Sequence, residues 1–181
     1  MNTFSDATLH VLHLFLAELG LLEDLTTQQF SKIQRVMYLA QSAGGGADLG
    51  YFFTGPTWHP SDVVRSQRLS EALSDLYMVR NMPFAEADAK LRPEIVARLQ
   101  KCKEMIQKHH QLGVDESSWI IALSNTRRRM QLEEGGLALS PAALRALDLP
   151  ANIPRDTVLE TLKAFLPEPT TRRPKISAQS A

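Results

Sequence analysis

The chain has a single cysteine, Cys102, among 181 residues. An internal disulfide is therefore excluded, and with it the small cystine-stapled class of secreted domain. A surplus of either charge is missing too. Twenty Lys and Arg balance twenty Asp and Glu, for a formal net charge of +0 at pH 7. A neutral chain removes the global argument for a nucleic acid or a membrane surface as partner. Long apolar runs are also absent. The most apolar stretch, Leu9–Leu22, is interrupted by His10, His13 and Glu18. It is too short to span a bilayer and lacks the basic flank of a secretory signal. The expectation is a buried helix in a cytoplasmic protein.

The signatures of chemistry are missing as well. Gly44-Gly45-Gly46 lacks the Gly-Lys-Ser/Thr of a phosphate loop, and no GxGxxG follows a strand. There is no GxSxG elbow and no kinase signature. Asp88-Ala89-Lys90 has an acid-x-Lys spacing used by some nucleases, but its surroundings are Ala-rich and helix-prone rather than extended. His10 and His13 share a helix face. Without an HExxH or paired-Cys pattern to complete a tetrahedral set, they are read as packed, hydrogen-bonded histidines. His109 and His110 sit where a cation complements a helix C-terminus. Cys102 falls on an apolar stripe and is read as a small core residue, not a nucleophile. These readings make the protein a non-enzyme with no cofactor and no metal.

What is present is helical periodicity. Leu9, Leu12, Leu16 and Leu19, widened by Val11 and Phe15, predict a helix over 6–19, capped by Ser5 or Asp6 and ended by Gly20. Phe30, Ile33, Met37 and Ala40 predict a second helix over 26–42. Pro60-Ser61-Asp62 is read as opening a third helix, with Val64, Leu69, Leu73 and Leu76 inward. Pro93 opens a long one over 93–112, ended by Gly113. Further helices are expected after Asp115-Glu116-Ser117, through Trp119, Ile120 and Leu123 to the Gly135-Gly136 stop, from Ser140-Pro141 to Leu147, and over 156–165. The fold class is all-α: a compact multi-helix domain over 1–166, winged-helix-like, with a short extended segment near 50–55. Residues 167–181 hold three prolines, few apolar residues and the cations Arg172, Arg173 and Lys175. They are expected to form a disordered basic tail.

Two groups of residues stand out as candidate binding sites. A helix as apolar as 6–19 either is buried on several sides or docks on a partner, which nominates Leu12 and Phe15. Tyr51, Phe52, Phe53 and Trp58 gather around Gly55-Pro56, and aromatic anchors on a turn suit an interface. Tyr51, Phe53 and Trp58 are the partner-binding candidates, set against the plainer reading that they pin the turn to the core. For nucleic acid, Arg127-Arg128-Arg129 is the sharpest cluster. Successive helical residues point about 100° apart, so the three fan out instead of forming a stripe. Arg65 and Arg68 join them as candidate phosphate contacts.

One stretch resembles a known family. Lys32, Gln34, Tyr38 and Gln41, followed by the aromatic segment ending in Gly55-Pro56, are similar to the Panacea and YwgA-like domains. Those domains carry a K-x-Q-K-x-x-Y-x-x-Q helix and then an aromatic segment ending in Y-G-P. The likeness spans residues 26–75. The chain departs from the pattern at Arg35, at Thr54 and at Thr57-Trp58-His59. The resemblance implies a helical, winged-helix-like module without catalytic residues of its own, of the kind that neutralises toxins or accompanies phage-defence genes. The functional expectation is a non-catalytic interaction subunit in a hetero-oligomer. Its partner would be a toxin or a larger defence-complex subunit. The alternative is a DNA-binding module.

Overall fold

A computed structural model describes residues 3–43, 48–55, 64–132 and 149–166. Helix α1, Asp6–Glu18, starts where Ser5 Oγ accepts from the Thr8 N–H at 3.2 Å. It ends in a paired reversal. Leu21 N–H reaches Leu16 C=O at 2.8 Å and Gly20 N–H reaches Ala17 C=O at 3.1 Å. Gly20, at φ +72°, takes the left-handed step that this ending requires. The same device closes α5, His109–Leu112, at Gly113, φ +67°.

A 3₁₀ turn at Thr27–Gln29 leads into α2, Phe30–Ser42. Every residue from Ile33 to Ala40 is buried, polar ones included. This is the central helix, packed against α3 (Gln67–Val79), α4 (Pro93–Gln107) and α6 (Glu116–Leu132). α1 packs on α3 and α4, and α7 (Arg155–Phe165) closes the other side against α4 and α6. One hydrophobic core runs from Leu9 to Leu166.

Three boundaries differ from the sequence reading. The second helix, expected over 26–42, begins at Phe30 after the 3₁₀ turn. The third helix begins at Gln67, where Ser66 caps the Leu69 N–H at 3.4 Å. Val64 is buried and Arg65 is in a β-bridge, so both precede the helix. The helix over 93–112 breaks at Lys108, and α5 (His109–Leu112) is a separate turn. Of the winged-helix expectation, the described residues contain an isolated antiparallel bridge, Thr54 with Arg65, and no strand. The expected helix over 140–147, Trp58, and the expected tail over 167–181 lie outside the described residues. Among the described residues no helix is long and apolar enough to cross a membrane.

Candidate partner-binding face

The polar residues Lys32, Gln34, Arg35, Tyr38 and Gln41 of α2 each reach out to a neighbouring part of the chain. Lys32 Nζ lies 2.8 Å from Asp24 and 2.6 Å from Glu116. Burial pulls its amine down, but hydrogen bonds and charge from those two carboxylates outweigh burial and hold it above the usual lysine range. Gln34 Oε1 accepts from the Ser66 N–H at 2.6 Å, fixing the entry to α3. Arg35 Nη1 donates to Ser124 Oγ and Asn125 Oδ1 on α6, at 2.8 and 2.6 Å. Tyr38 Oη donates to Gln131 Oε1 at 2.6 Å. Gln41 grips the backbone of Tyr51 at two points. Its Nε2 donates to the Tyr51 carbonyl at 2.7 Å, and its Oε1 accepts from the Tyr51 N–H at 3.2 Å. The motif residues therefore act as clamps between α2 and its surroundings.

Those clamps present segment 50–55. Gly50 enters it at φ +73°. Tyr51 is held by Gln41, and the Phe53 ring meets Tyr38 edge-on at 5.4 Å. Thr54 and Arg65 exchange both backbone hydrogen bonds, at 2.8 and 3.1 Å. Arg128 Nε donates to the Gly55 carbonyl at 2.9 Å. Successive side chains of an extended segment point to opposite sides. With Tyr51 and Phe53 buried, Phe52 between them is 80% exposed.

Phe52 stands on the rim of two clefts. The larger, about 700 Å³, is lined by Gln34, Thr54, Arg65, Ser66 and Arg68 among others. The smaller, about 250 Å³, is lined by Tyr38, Ser42, Asp48, Arg128 and Gln131 among others. Replacing Gln41 by Leu is expected to leave both Tyr51 backbone groups without their partner. The penalty should be about 1–3 kcal/mol in a urea titration, with hydrogen-exchange protection lost at the Tyr51 amide. A protected amide in the variant would mean that the clamp is not what holds the segment.

Of the candidate partner-binding residues, Leu12, Phe15, Tyr51 and Phe53 are buried, and Trp58 lies outside the described residues. Leu12 and Phe15 are buried in the core, because α1 turns that face onto α3 and α4. Tyr51 and Phe53 are buried by the parity of their segment. The exposed aromatic is Phe52, which the sequence reading grouped with its neighbours without choosing it. The alternation was legible in sequence; which parity faced out was not.

The arginines separate similarly. Arg65 and Arg68 are exposed on the larger cleft, and the Arg68 guanidinium lies 5.8 Å from the Phe4 ring centre. Arg127 is buried and Arg128 and Arg129 are half-buried, the fan expected of consecutive helical positions. Burial lowers the pKa of Arg127 and of Arg35, and Arg127 Nε has no hydrogen-bond partner among the described residues.

His10, His13, His109 and Cys102 are packed among their neighbours. The His10 ring stacks on Phe84 at 4.5 Å, and His13 lies against the same ring. Burial, and then the neighbouring His10, lower the pKa of His13. His109 Nδ1 is 3.1 Å from the Val114 carbonyl. Cys102 is buried between apolar neighbours, which pushes its thiol up to about 12. Among the described residues no three His, Cys, Asp or Glu side chains are grouped to hold a metal ion.

No protein-family model matches this chain, and no curated protein or solved structure matches it either.

Proposed function

We propose that the protein is a non-catalytic interaction subunit that docks a protein partner on the face around Phe52. The observation that carries this reading is the exposure of Phe52 on a segment fastened at both ends. A phenylalanine left 80% exposed loses the burial that would repay it in the monomer, about 1.5–3 kcal/mol. Because its backbone is already ordered by Gln41, Arg65 and Arg128, little further entropy is lost when a partner covers it. Within this reading, the family likeness over 26–75 narrows the partner to a toxin or to a larger subunit of an anti-phage complex. The assembly is a cytoplasmic hetero-oligomer.

The test is purification of the tagged full chain from its native cells after nuclease treatment, followed by sizing. A stoichiometric protein partner is expected with the wild type. Phe52→Ala should leave the melting temperature within about 2 °C, because the side chain is not in the core. The same variant should weaken the complex by more than tenfold, as for a central aromatic anchor. A complex that survives the substitution unchanged rejects the face.

A second reading, a winged-helix-like DNA-binding module, is favoured by one observation: Arg65 and Arg68 are exposed side by side on the larger cleft. It predicts binding that falls steeply with salt and is lost in the Arg65→Ala/Arg68→Ala double variant.

A further inference from the structure

The larger of the two clefts that flank Phe52 carries an excess of positive charge, two arginines against one carboxylate, and the smaller is balanced one to one. Arg65 and Arg68 line the larger and Arg128 lines the smaller. Each cleft also holds one carboxylate, but both carboxylates have local amide partners. Glu71 accepts from Gln67 Nε2 at 3.2 Å, and Asp48 accepts from the Gly50 N–H at 2.7 Å. Among the described residues Lys32 pairs with Asp24 and Glu116, and no carboxylate pairs with Arg65, Arg68 or Arg128. Arg127, next to Arg128 in the chain, is buried and pairs with no carboxylate among the described residues.

From this we infer that the partner presents an acidic segment. An apolar side chain of that segment packs on Phe52, and its Asp or Glu side chains enter the larger cleft, toward Arg65 and Arg68. The inference rests on the protein-docking reading above and names the chemistry of the partner's surface. Discrete carboxylates suit this face better than a continuous phosphate backbone. Asp48 and Glu71 interrupt the positive surface, and the whole chain is neutral, whereas nucleic-acid sites are marked by a basic footprint. Arginine forks pair carboxylates with two parallel hydrogen bonds, and partial burial in a cleft reduces the solvent screening that weakens exposed pairs.

The experiment places a photocrosslinker on the ridge itself. The full chain carrying Phe52→p-benzoylphenylalanine is expressed in its native cells, irradiated, treated with nuclease and digested, and the adduct is sequenced by mass spectrometry. The expected adduct is a single peptide with two or more Asp or Glu residues within a few positions of the crosslink. Arg65→Glu/Arg68→Glu should then weaken the purified complex by more than tenfold, and an Asp/Glu→Arg change in the crosslinked peptide should restore binding to that variant but not to the wild type. An adduct to a peptide without acidic residues overturns the inference and leaves the docking reading intact. So does an acidic peptide whose charge reversal gives no rescue. An adduct that nuclease removes, or no adduct at all, overturns both.

Discussion

Trp119→Ala is expected to remove about 3–5 kcal/mol of folding stability, the range for truncating a large core aromatic. The indole is 0% exposed and fills the space between α6 and α4. Its Nε1 donates to the Met105 carbonyl at 3.0 Å. Met105 sits in the last turn of α4, where backbone carbonyls lack intrahelical partners, so the indole also caps that helix. Alanine leaves a cavity and an orphan carbonyl together. Against a total stability of about 5–15 kcal/mol, that loss brings the domain close to unfolding at physiological temperature. Trp119→Phe keeps most of the volume and should lose only the hydrogen bond, about 1–3 kcal/mol. Urea titrations followed by far-ultraviolet circular dichroism measure both. Equal losses in the two variants would place the whole effect in the hydrogen bond, and a loss under 1 kcal/mol in alanine would remove Trp119 from the core.

Arg127→Met should act in the opposite direction, raising stability by about 1–4 kcal/mol, the gain seen when buried ionic groups give way to apolar ones of similar volume. Arg127 is 6% exposed, burial lowers its pKa, and its Nε has no hydrogen-bond partner among the described residues. Methionine keeps the stem that packs between the helices and drops the desolvated charge. At roughly 2–4 °C per kcal/mol for a chain of this size, the melting temperature should rise by several degrees. Arg35→Met provides the contrast. Arg35 is buried to the same degree, but its Nη1 serves Ser124 and Asn125, so its removal strands two polar side chains and should destabilise. If Arg127→Met lowers the melting temperature as Arg35→Met does, the Arg127 guanidinium is part of the fold's polar framework. A stabilised variant that also binds its partner less tightly ties the buried charge to docking, where local stability is given up for function.

The helices were the most legible part of the chain, because each announces itself by periodicity and by its ends. Ser5 and Gly20 bracket α1, Pro93 opens α4, and Gly113 closes α5, each for a local reason that needs no knowledge of the rest of the chain. The break at Lys108 was not legible, since the apolar spacing runs on from Ile106 to Leu112 without a breaker. The start of α3 was misread because Pro60-Ser61-Asp62 looks like a helix opening. The bridge between Thr54 and Arg65 and the hydrogen bond from Gln34 to Ser66 hold the chain extended until Gln67.

The candidate face was legible only as a region. By itself, the amino-acid order determined an all-helical core, an extended aromatic segment at 50–55, a buried unreactive cysteine and a dispersed arginine triplet. All of these follow from local geometry: the 3.6-residue turn, the two-residue alternation, and the 100° step between neighbours on a helix. Tertiary structure alone decided which side of each element faces in. Burial of Leu12 and Phe15, the outward turn of Phe52 between Tyr51 and Phe53, and the division of the arginines into exposed Arg65 and Arg68 and buried Arg127 depend on packing across the chain. A period states that two faces exist. The long-range contacts α2 makes through Arg35, Tyr38 and Gln41 choose between them, and no local rule can supply those contacts.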